Sequence, residues 1–316
     1  MLMPEVLIGK VRPAEIRKRM SLLLKEMKKS RISYLFVLPF VLIFFVFVAL
    51  PVIISIILGF THFNLLEVPR WAGLANYKRM LLADDVFIIA IKNTFLFAAI
   101  TGPLSYIACL MFAWFINELT PKKRAFMTLV FYAPSISGML YFIWQIMFSG
   151  DSYGYANGIL LKLGIIQEPI QWFTDTRFML PLVIVVILWL SLGTSFLAFI
   201  AGFQNVDRTL YEAGAVDGVK NRWQELWFIT LPSMKPQLLF GAVMSITAAF
   251  GTGGVQQALT GAVSTDYAVH TVALHLADHG NVRFEMGYAS AMATVLFFIM
   301  IGTNKFIQKL LSKVGV

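Results

Sequence analysis

The 316-residue sequence is poor in charge and in cysteine. Charged residues make up 14% of it and apolar residues 58%, whereas a soluble domain contains about 25% charged and about 45–50% apolar residues. This surplus excludes a soluble globular protein, because it would leave large apolar patches in water. The single cysteine, Cys109, cannot form an internal disulfide, and no Cys/His spacing typical of structural zinc occurs.

Motifs for nucleotide and metal chemistry are also missing. No G-x-x-x-x-G-K-[ST] run occurs, so the chain has no P-loop with which to bind ATP. We predict that it is not an enzyme, has no catalytic residues and carries no cofactor of its own. The one candidate metal cluster is His270, His275, Asp278 and His279. His275 and His279 would share a helix face, but H-E-x-x-H is absent, and we predict no metal site.

Charge is nearly absent from the long apolar runs. Lys92 is the only charged residue within them, and it lies near one end, where its amine can reach the interface. Proton- and sodium-coupled carriers commonly place ionisable residues at membrane depth, and ion channels need a filter loop or a ring of charge. The sequence argues against both classes. The net charge of +9 follows the positive-inside rule, so we predict no nucleic-acid partner.

Six apolar runs are long enough to cross a bilayer. At 1.5 Å per residue, a helix of 27 residues is about 40 Å long, which exceeds the hydrocarbon core. The runs lack the alternation of membrane β-strands, so helices are expected. The predicted spans are 34–60, 86–116, 125–148, 178–203, 236–259 and 286–304. Gly251, Gly253 and Gly254 predict a break near the end of the fifth. The predicted fold class is an all-α integral membrane protein with six transmembrane helices.

Lysine and arginine are distributed unevenly between the loops. Nineteen lie in segments 1–33, 117–124, 204–235 and from 305 onwards, and six lie in 61–85, 149–177 and 260–285. Because positively charged loops remain in the cytoplasm, we predict that both termini and the 204–235 loop are cytoplasmic.

The chain divides into a basic arm, 1–33, and a transmembrane domain, 34–316. Apolar residues recur at helical spacing in the arm, between lysines and arginines, at Ile16, Met20, Leu23, Leu24 and Met27. This pattern is typical of an interfacial helix on anionic lipid. The alternative is a solvated tail that only enforces orientation. Membrane lipid is a predicted partner in either case.

Neutral polar and aromatic residues are the remaining candidates for binding a solute within the spans. Sugars are recognised by aromatic faces and by groups that match their hydroxyls, without formal charge. The predicted substrate path comprises Tyr132, Tyr141, Trp144, Gln145, Trp189, Gln256 and Gln257. The alternative for each residue is hydrogen bonding between helices or an interfacial aromatic.

The 204–235 loop reads as two helices outside the bilayer. Asp207 can cap a helix that runs to about Asp217, and Gly218 suits its end. Asn221 can cap a second helix, which we expect to stop at Leu231-Pro232. Small residues over 213–215 predict a shallow surface for a partner. The alternative is a connector without a partner.

This loop resembles the EAA loop of binding-protein-dependent ABC importer permeases, E-A-A-x3-G-x9-I-x-L-P. The matching residues are Glu212, Ala213, Gly218, Ile229, Leu231 and Pro232. The run Tyr211-Glu-Ala-Gly-Ala-Val-Asp-Gly218 is similar to the sugar-uptake branch, which includes maltose, oligosaccharide and glycerol-phosphate permeases. Further similarities to this branch are Trp71-Ala-Gly-Leu-Ala-Asn-Tyr77, Asn93-Thr94 and Gly287-Tyr-Ala-Ser-Ala-Met292. The chain departs from the pattern at Gly214, which replaces an alanine, and by one extra residue between Gly218 and Ile229.

The resemblance implies a MetI-like permease fold and a role in importing a sugar or oligosaccharide. It implies that Glu212, Ala213, Gly214, Asp217 and Gly218 dock onto a cytoplasmic ATPase. It also implies two such ATPase subunits that bind ATP and Mg, a second permease subunit, similar or identical, and an extracellular solute-binding protein. The implied location is the cell (inner) membrane of a bacterium or archaeon.

Three alternatives remain at this point. The loop alone also fits an ABC permease for a non-sugar solute, such as an amino acid or a peptide. A secondary carrier would show inverted repeats and a buried ionisable pair, which the sequence lacks. A membrane enzyme would have to use the histidine cluster.

Overall fold

The computed structural model describes residues 30–138 and 140–311, which are mostly helical. The predicted amphipathic arm lies almost wholly outside these residues. The α-helices are α1 Arg31–Phe44, α2 Leu50–Leu58, α3 Ala75–Leu82, α4 Asp85–Asn117, α5 Pro121–Ile136, α6 Tyr141–Met147, α7 Tyr155–Lys162, α8 Thr176–Leu190, α9 Thr194–Gln204, α10 Arg208–Val216, α11 Arg222–Glu225, α12 Leu231–Ser233, α13 Lys235–Phe250, α14 Gly254–Thr260, α15 Val272–Ala277 and α16 Met286–Leu311. Strands β1 Thr61–His62 and β2 Arg70–Trp71 pair antiparallel.

Two π-helical segments precede prolines. Phe45–Ala49 joins α1 to α2 and lies two residues before Pro51. Leu226–Thr230 joins α11 to α12 and lies two residues before Pro232. Proline has no N–H, and its ring crowds the carbonyl four residues earlier. A wider turn relieves that crowding. The second loop helix ends at Ser233, one residue beyond the predicted stop at Leu231-Pro232, and Met234 separates it from α13.

The chain divides into two compact units after Ser55. In the first unit, the side chains of Leu35, Phe36 and Phe40 are 67%, 82% and 70% exposed. Such an apolar surface is unsuited to water and suited to lipid or to another helix. The continuous helical segment Ile32–Leu58 is 27 residues long and is the most apolar in the described part of the chain.

The structure supports the predicted spans. Four helical segments are long and apolar enough to cross a membrane: Ile32–Leu58, Asp85–Asn117, Lys235–Thr260 and Met286–Leu311. Two bent pairs complete a set of six if each pair is one span. They are α5 with α6, bent by 83°, and α8 with α9, bent by 43°. The glycine break in the fifth span is confirmed, because α13 ends at Phe250 and α14 begins at Gly254.

Helix α4 is the centre of the second unit. It packs against α9 and α13 along its length, and α13 packs in turn against α16. Buried residues around Phe196 and Phe199 form a cluster near the end of α4 that adjoins the 204–235 loop. A second cluster, around Phe87 and Tyr288, lies near its beginning. We call these two ends of the unit the loop end and the histidine end.

Candidate functional site

Helix α10 begins and ends at the residues that the sequence predicts. The carboxylate of Asp207 accepts a hydrogen bond from the amide of Thr209 at 3.0 Å, which also lowers the pKa of that carboxyl. At the other end, the amide of Val219 donates to the carbonyl of Gly214 at 2.9 Å, and Gly218 has φ +92°. A left-handed glycine with this bond is a common way to end a helix. The predicted caps are confirmed.

The exposed face of α10 is narrower than predicted. Four of the five predicted docking residues are exposed, namely Glu212, Ala213, Asp217 and Gly218. Gly214 is buried, and a Cβ atom placed there would lie 2.5 Å from Cδ1 of Ile229. The prediction of a shallow outer surface is therefore wrong at Gly214. The absent side chain instead allows α10 to approach the helix that follows it.

The second half of the loop contacts the end of α4 through an ion pair and an aromatic pair. Arg222 forms ion pairs with Glu118 at 3.3 Å and with Glu225 at 2.7 Å. The ring of Trp223 meets the ring of Trp114 edge-on, with centroids 4.7 Å apart. These contacts join the second half of the loop to the end of α4.

A cavity of about 630 Å³ lies where the bend between α5 and α6 meets the end of α8 and the start of α14. Its lining residues are Pro134, Ser135, Ser137, Gly138, Tyr141, Leu190, Gly254, Val255, Gln257 and Ala258. None of these is charged. Two hydroxyls of serine, one of tyrosine and the amide of Gln257 provide donors and acceptors among apolar surfaces. This composition suits a neutral polar solute.

The structure brings two of the seven predicted path residues, Tyr141 and Gln257, into this cavity. The amide of Gln145 instead donates to the carbonyl of Ala258 in the cavity wall. Three other residues pack elsewhere. Trp144 and Trp189 meet edge-on with centroids 5.6 Å apart, and Tyr132 packs on the cluster at the loop end.

Gln256, the seventh of these residues, is fully buried. Its side-chain oxygen accepts a hydrogen bond from Thr252 at 3.1 Å. Its side-chain nitrogen has no partner among the described residues. Gln256 therefore lies behind the cavity wall, while its neighbour Gln257 faces the cavity.

A polar network lies at the histidine end, where α4 and α16 begin. His275 Nε2 is 2.9 Å from Asp84 Oδ2, and the hydroxyl of Tyr288 donates to the same oxygen at 2.6 Å. His275 Nδ1 is 3.3 Å from Nε2 of His270. His279 Nδ1 is 2.7 Å from Oε2 of Glu285. The predicted sharing of a face by His275 and His279 is confirmed, with ring centroids 4.6 Å apart.

The surroundings of this network lower the pKa of its carboxylates and of two of its histidines. Burial alone would raise the pKa of Asp84, but hydrogen bonds from Tyr288, His275 and the amide of Phe87 outweigh it and hold the pKa at about 2. Burial lowers the pKa of His270 to about 4. Burial also lowers the pKa of His279 and outweighs the opposing effect of Glu285. These shifts favour ionised carboxylates and the neutral imidazoles of His270 and His279.

Sequence reasoning missed Asp84, Glu285 and Tyr288 in this network. Asp84 caps α4 by accepting from the amide of Phe87 at 2.9 Å. An acidic residue directly before a predicted span is a signal for that cap. The sequence does not show that Asp84 also contacts His275, because His275 lies 191 residues further along the chain.

The sequence matches the protein family described as "Binding-protein-dependent transport system inner membrane component" over residues 123–313. It is 33% identical over 285 residues to the probable ABC transporter permease protein YesP of Bacillus subtilis (strain 168), covering 87% of this chain and 90% of that one. It is 35% identical over 226 residues to the lactose transport system permease protein LacF of Rhizobium radiobacter, covering 70% and 72%.

A solved structure shares the fold. A chain in the crystal structure of a bacterial alginate ABC transporter, in complex with an alginate pentasaccharide-bound periplasmic protein, matches with a TM-score of 0.73 at 22% identity. The match covers 93% of this chain and 99% of that one. The predicted permease fold is confirmed.

Proposed function

Because the chain belongs to the family of binding-protein-dependent transport system inner membrane components, we propose that it forms the translocation path for a sugar or oligosaccharide. An extracellular binding protein delivers the solute, and two separate cytoplasmic subunits hydrolyse ATP with Mg. The path lies between this chain and a second permease subunit, similar or identical to it.

The observation that carries the sugar assignment is the uncharged cavity lined by Ser135, Ser137, Tyr141 and Gln257. A site for an ion or a zwitterionic amino acid needs opposite charge within reach, because a buried unpaired charge is costly. A sugar needs an aromatic face and neutral hydrogen-bonding groups, and the cavity provides both. The printed name of one relative, a lactose permease, is consistent with this solute class.

The orientation follows from the lysine and arginine asymmetry of the loops. We place both termini and the loop end in the cytoplasm and the histidine end outside. The exposed residues Glu212, Ala213, Asp217 and Gly218 then face the compartment that contains ATP. They form the docking surface for the ATPase, and the contacts of Arg222 and Trp223 transmit its movement to α4.

Transport by the complete importer in proteoliposomes tests the function. The complex of this chain with its second permease, ATPase and binding protein is offered radiolabelled lactose, an arabino-oligosaccharide, an amino acid and a dipeptide. We expect ATP-dependent uptake of a saccharide. Uptake of the amino acid or the dipeptide alone would make the chain a permease for a non-sugar solute.

Variants of the cavity test the path. Tyr141→Ala and Gln257→Ala each remove one side chain from the lining, and we expect uptake to fall by about tenfold, the equivalent of about 1.4 kcal/mol. Ile143→Ala is the matched control, because Ile143 is 46% exposed and does not line the cavity. Equal uptake by all three variants would place the path elsewhere.

A further inference from the structure

We propose that Asp84, His275 and His279 form a binding site for a divalent transition-metal ion, zinc above all, at the histidine end of the protein. One donor atom from each residue lies within 4.8 Å of the other two. Tetrahedral zinc with bonds of about 2.0–2.1 Å holds its donors about 3.3 Å apart. Binding of the ion would therefore draw the most distant donor atoms together by up to about 1.5 Å. This site is independent of the solute that the protein transports.

The pair of His275 and Asp84 is already close to the geometry of two ligands on one ion. Nε2 of His275 and Oδ2 of Asp84 are 2.9 Å apart and share one proton. A metal ion replaces that proton when the two atoms separate by about 0.4 Å, to the spacing of tetrahedral donors. The hydroxyl of Tyr288 donates to the same carboxylate oxygen at 2.6 Å and fixes the carboxylate in place.

Both histidines have a partner for their second ring nitrogen, and that of His279 is of the kind usual for metal ligands. A ligating imidazole commonly directs its second nitrogen to a carboxylate, a backbone carbonyl or water, which fixes its tautomer. Nδ1 of His279 is 2.7 Å from Glu285, and Arg79 donates to that carboxylate at 3.1 Å. This arrangement leaves Nε2 of His279 for the metal. Nδ1 of His275 is 3.3 Å from Nε2 of His270, which can accept its proton.

The surroundings also suit an ion. His275 and His279 are 3% and 2% exposed, so water competes weakly for the metal. A polar cavity of about 220 Å³, lined by the three proposed ligands, leaves room for a water molecule as the fourth ligand and for entry of the ion. The two arginines that line this cavity are paired, Arg79 with Glu285 and Arg283 with Asp278. Their charges are therefore offset close to the site.

The expectation from sequence that no metal is bound rested on the absence of H-E-x-x-H and left Asp84 out. With Asp84 included, the donor set is two imidazoles and one carboxylate, which zinc accepts readily. The apo network is already hydrogen-bonded, so the fold does not require the ion. A bound ion would tie the start of α4 to α15 and to the π-helical segment Asp278–Val282 that follows it.

Metal binding to the full chain, purified in detergent without a polyhistidine tag, tests the proposal. The protein is treated with a chelator and dialysed, and zinc is added. We expect one zinc ion to be retained per chain after dialysis and the melting temperature to rise with zinc concentration. Cobalt(II), added as a spectroscopic probe, should give the intense visible absorption of a four-coordinate site. Retention of less than a stoichiometric amount by the native sequence would overturn the proposal.

Variants distinguish this site from adventitious binding. Asp84→Asn keeps a residue that caps helices as well as aspartate does, and His279→Gln removes one imidazole. Glu285→Gln removes an outer partner and should lower zinc affinity by about 10- to 100-fold. Asp84→Asn and His279→Gln each remove a ligand and should lower it by at least as much. His62→Gln is the control, because His62 is exposed on β1. Unchanged affinity in Asp84→Asn and His279→Gln, or loss of binding in His62→Gln, would refute the site.

Discussion

At the scale of single residues, Gly214 lies on the inner side of its helix, whereas its place in the sequence suggests the outer side. Its place within a recognisable docking helix predicts an outer surface for a partner. In the structure it faces inward, against Ile229 of the same loop. The cap at Asp207 and the stop at Gly218 predicted the helix correctly. They could not show which side of the helix packs against the rest of the chain.

The contact between Gly214 and Ile229 makes a prediction about coupling between the two residues. Gly214→Ala places a Cβ atom 2.5 Å from Cδ1 of Ile229, so the end of that side chain has to move aside. Alanine stabilises the interior of a helix by about 1 kcal/mol relative to glycine. Ile229→Val deletes the crowded Cδ1 atom. We therefore expect the double variant to be more stable than the summed effects of the two single substitutions on the free energy of unfolding would predict.

Thermal unfolding of the four purified proteins in detergent gives this comparison as a double-mutant cycle. Strict additivity of the two substitutions, within about 0.5 kcal/mol, would mean that the two side chains do not meet.

At the scale of elements, local signals predicted where helices begin better than how they continue. Asp207 and Asn221 cap helices by accepting from backbone amides, as predicted. Asp84 caps α4 in the same way, although it was not singled out from the sequence. The helix after Asn221 continues through Pro232, because the preceding π-helical segment relieves the clash of the proline ring with the helix backbone. A rule that proline ends a helix does not include this adjustment. The 83° bend between α5 and α6 was likewise not predicted.

Helix α10 as a docking element leads to a second prediction. Ala213→Trp adds an indole to its exposed face, so we expect the variant to insert into the membrane normally and to lose the ATPase on purification. The measurement is the ATPase activity that co-purifies with the tagged chain from membranes. Lys122→Trp is a matched control, since Lys122 is exposed in the first turn of α5 and lies outside the loop. If Ala213→Trp retained as much activity as Lys122→Trp, α10 would not be the docking surface.

At the scale of the whole molecule, hydropathy alone located five spans to within about four residues of the helices in the structure, and α16 runs past the predicted end of the sixth span to Leu311. That success has a physical cause, because a bilayer admits only long apolar segments whose backbone is fully hydrogen-bonded. The candidate sites were harder to predict from the sequence. Gln257 lines the cavity while Gln256 does not. Which of these neighbours faces the cavity depends on the residue at which α14 begins after Gly253. The network of Asp84 with His275 depends on packing between distant segments.

The final prediction concerns the orientation of the whole chain. In a Cys109→Ser background, which removes the one native and buried thiol, single cysteines are introduced by Asn205→Cys and Tyr153→Cys. Asn205 is exposed directly after α9, and Tyr153 is 95% exposed in a loop of the other set. A membrane-impermeant maleimide should label Tyr153→Cys in spheroplasts and Asn205→Cys only after permeabilisation, since nineteen basic residues lie on the Asn205 side against six on the other. Labelling of Asn205→Cys in intact spheroplasts would place the docking loop outside the cell. An intracellular ATPase could not then reach α10, and the proposed path of energy from ATP to the spans would be wrong.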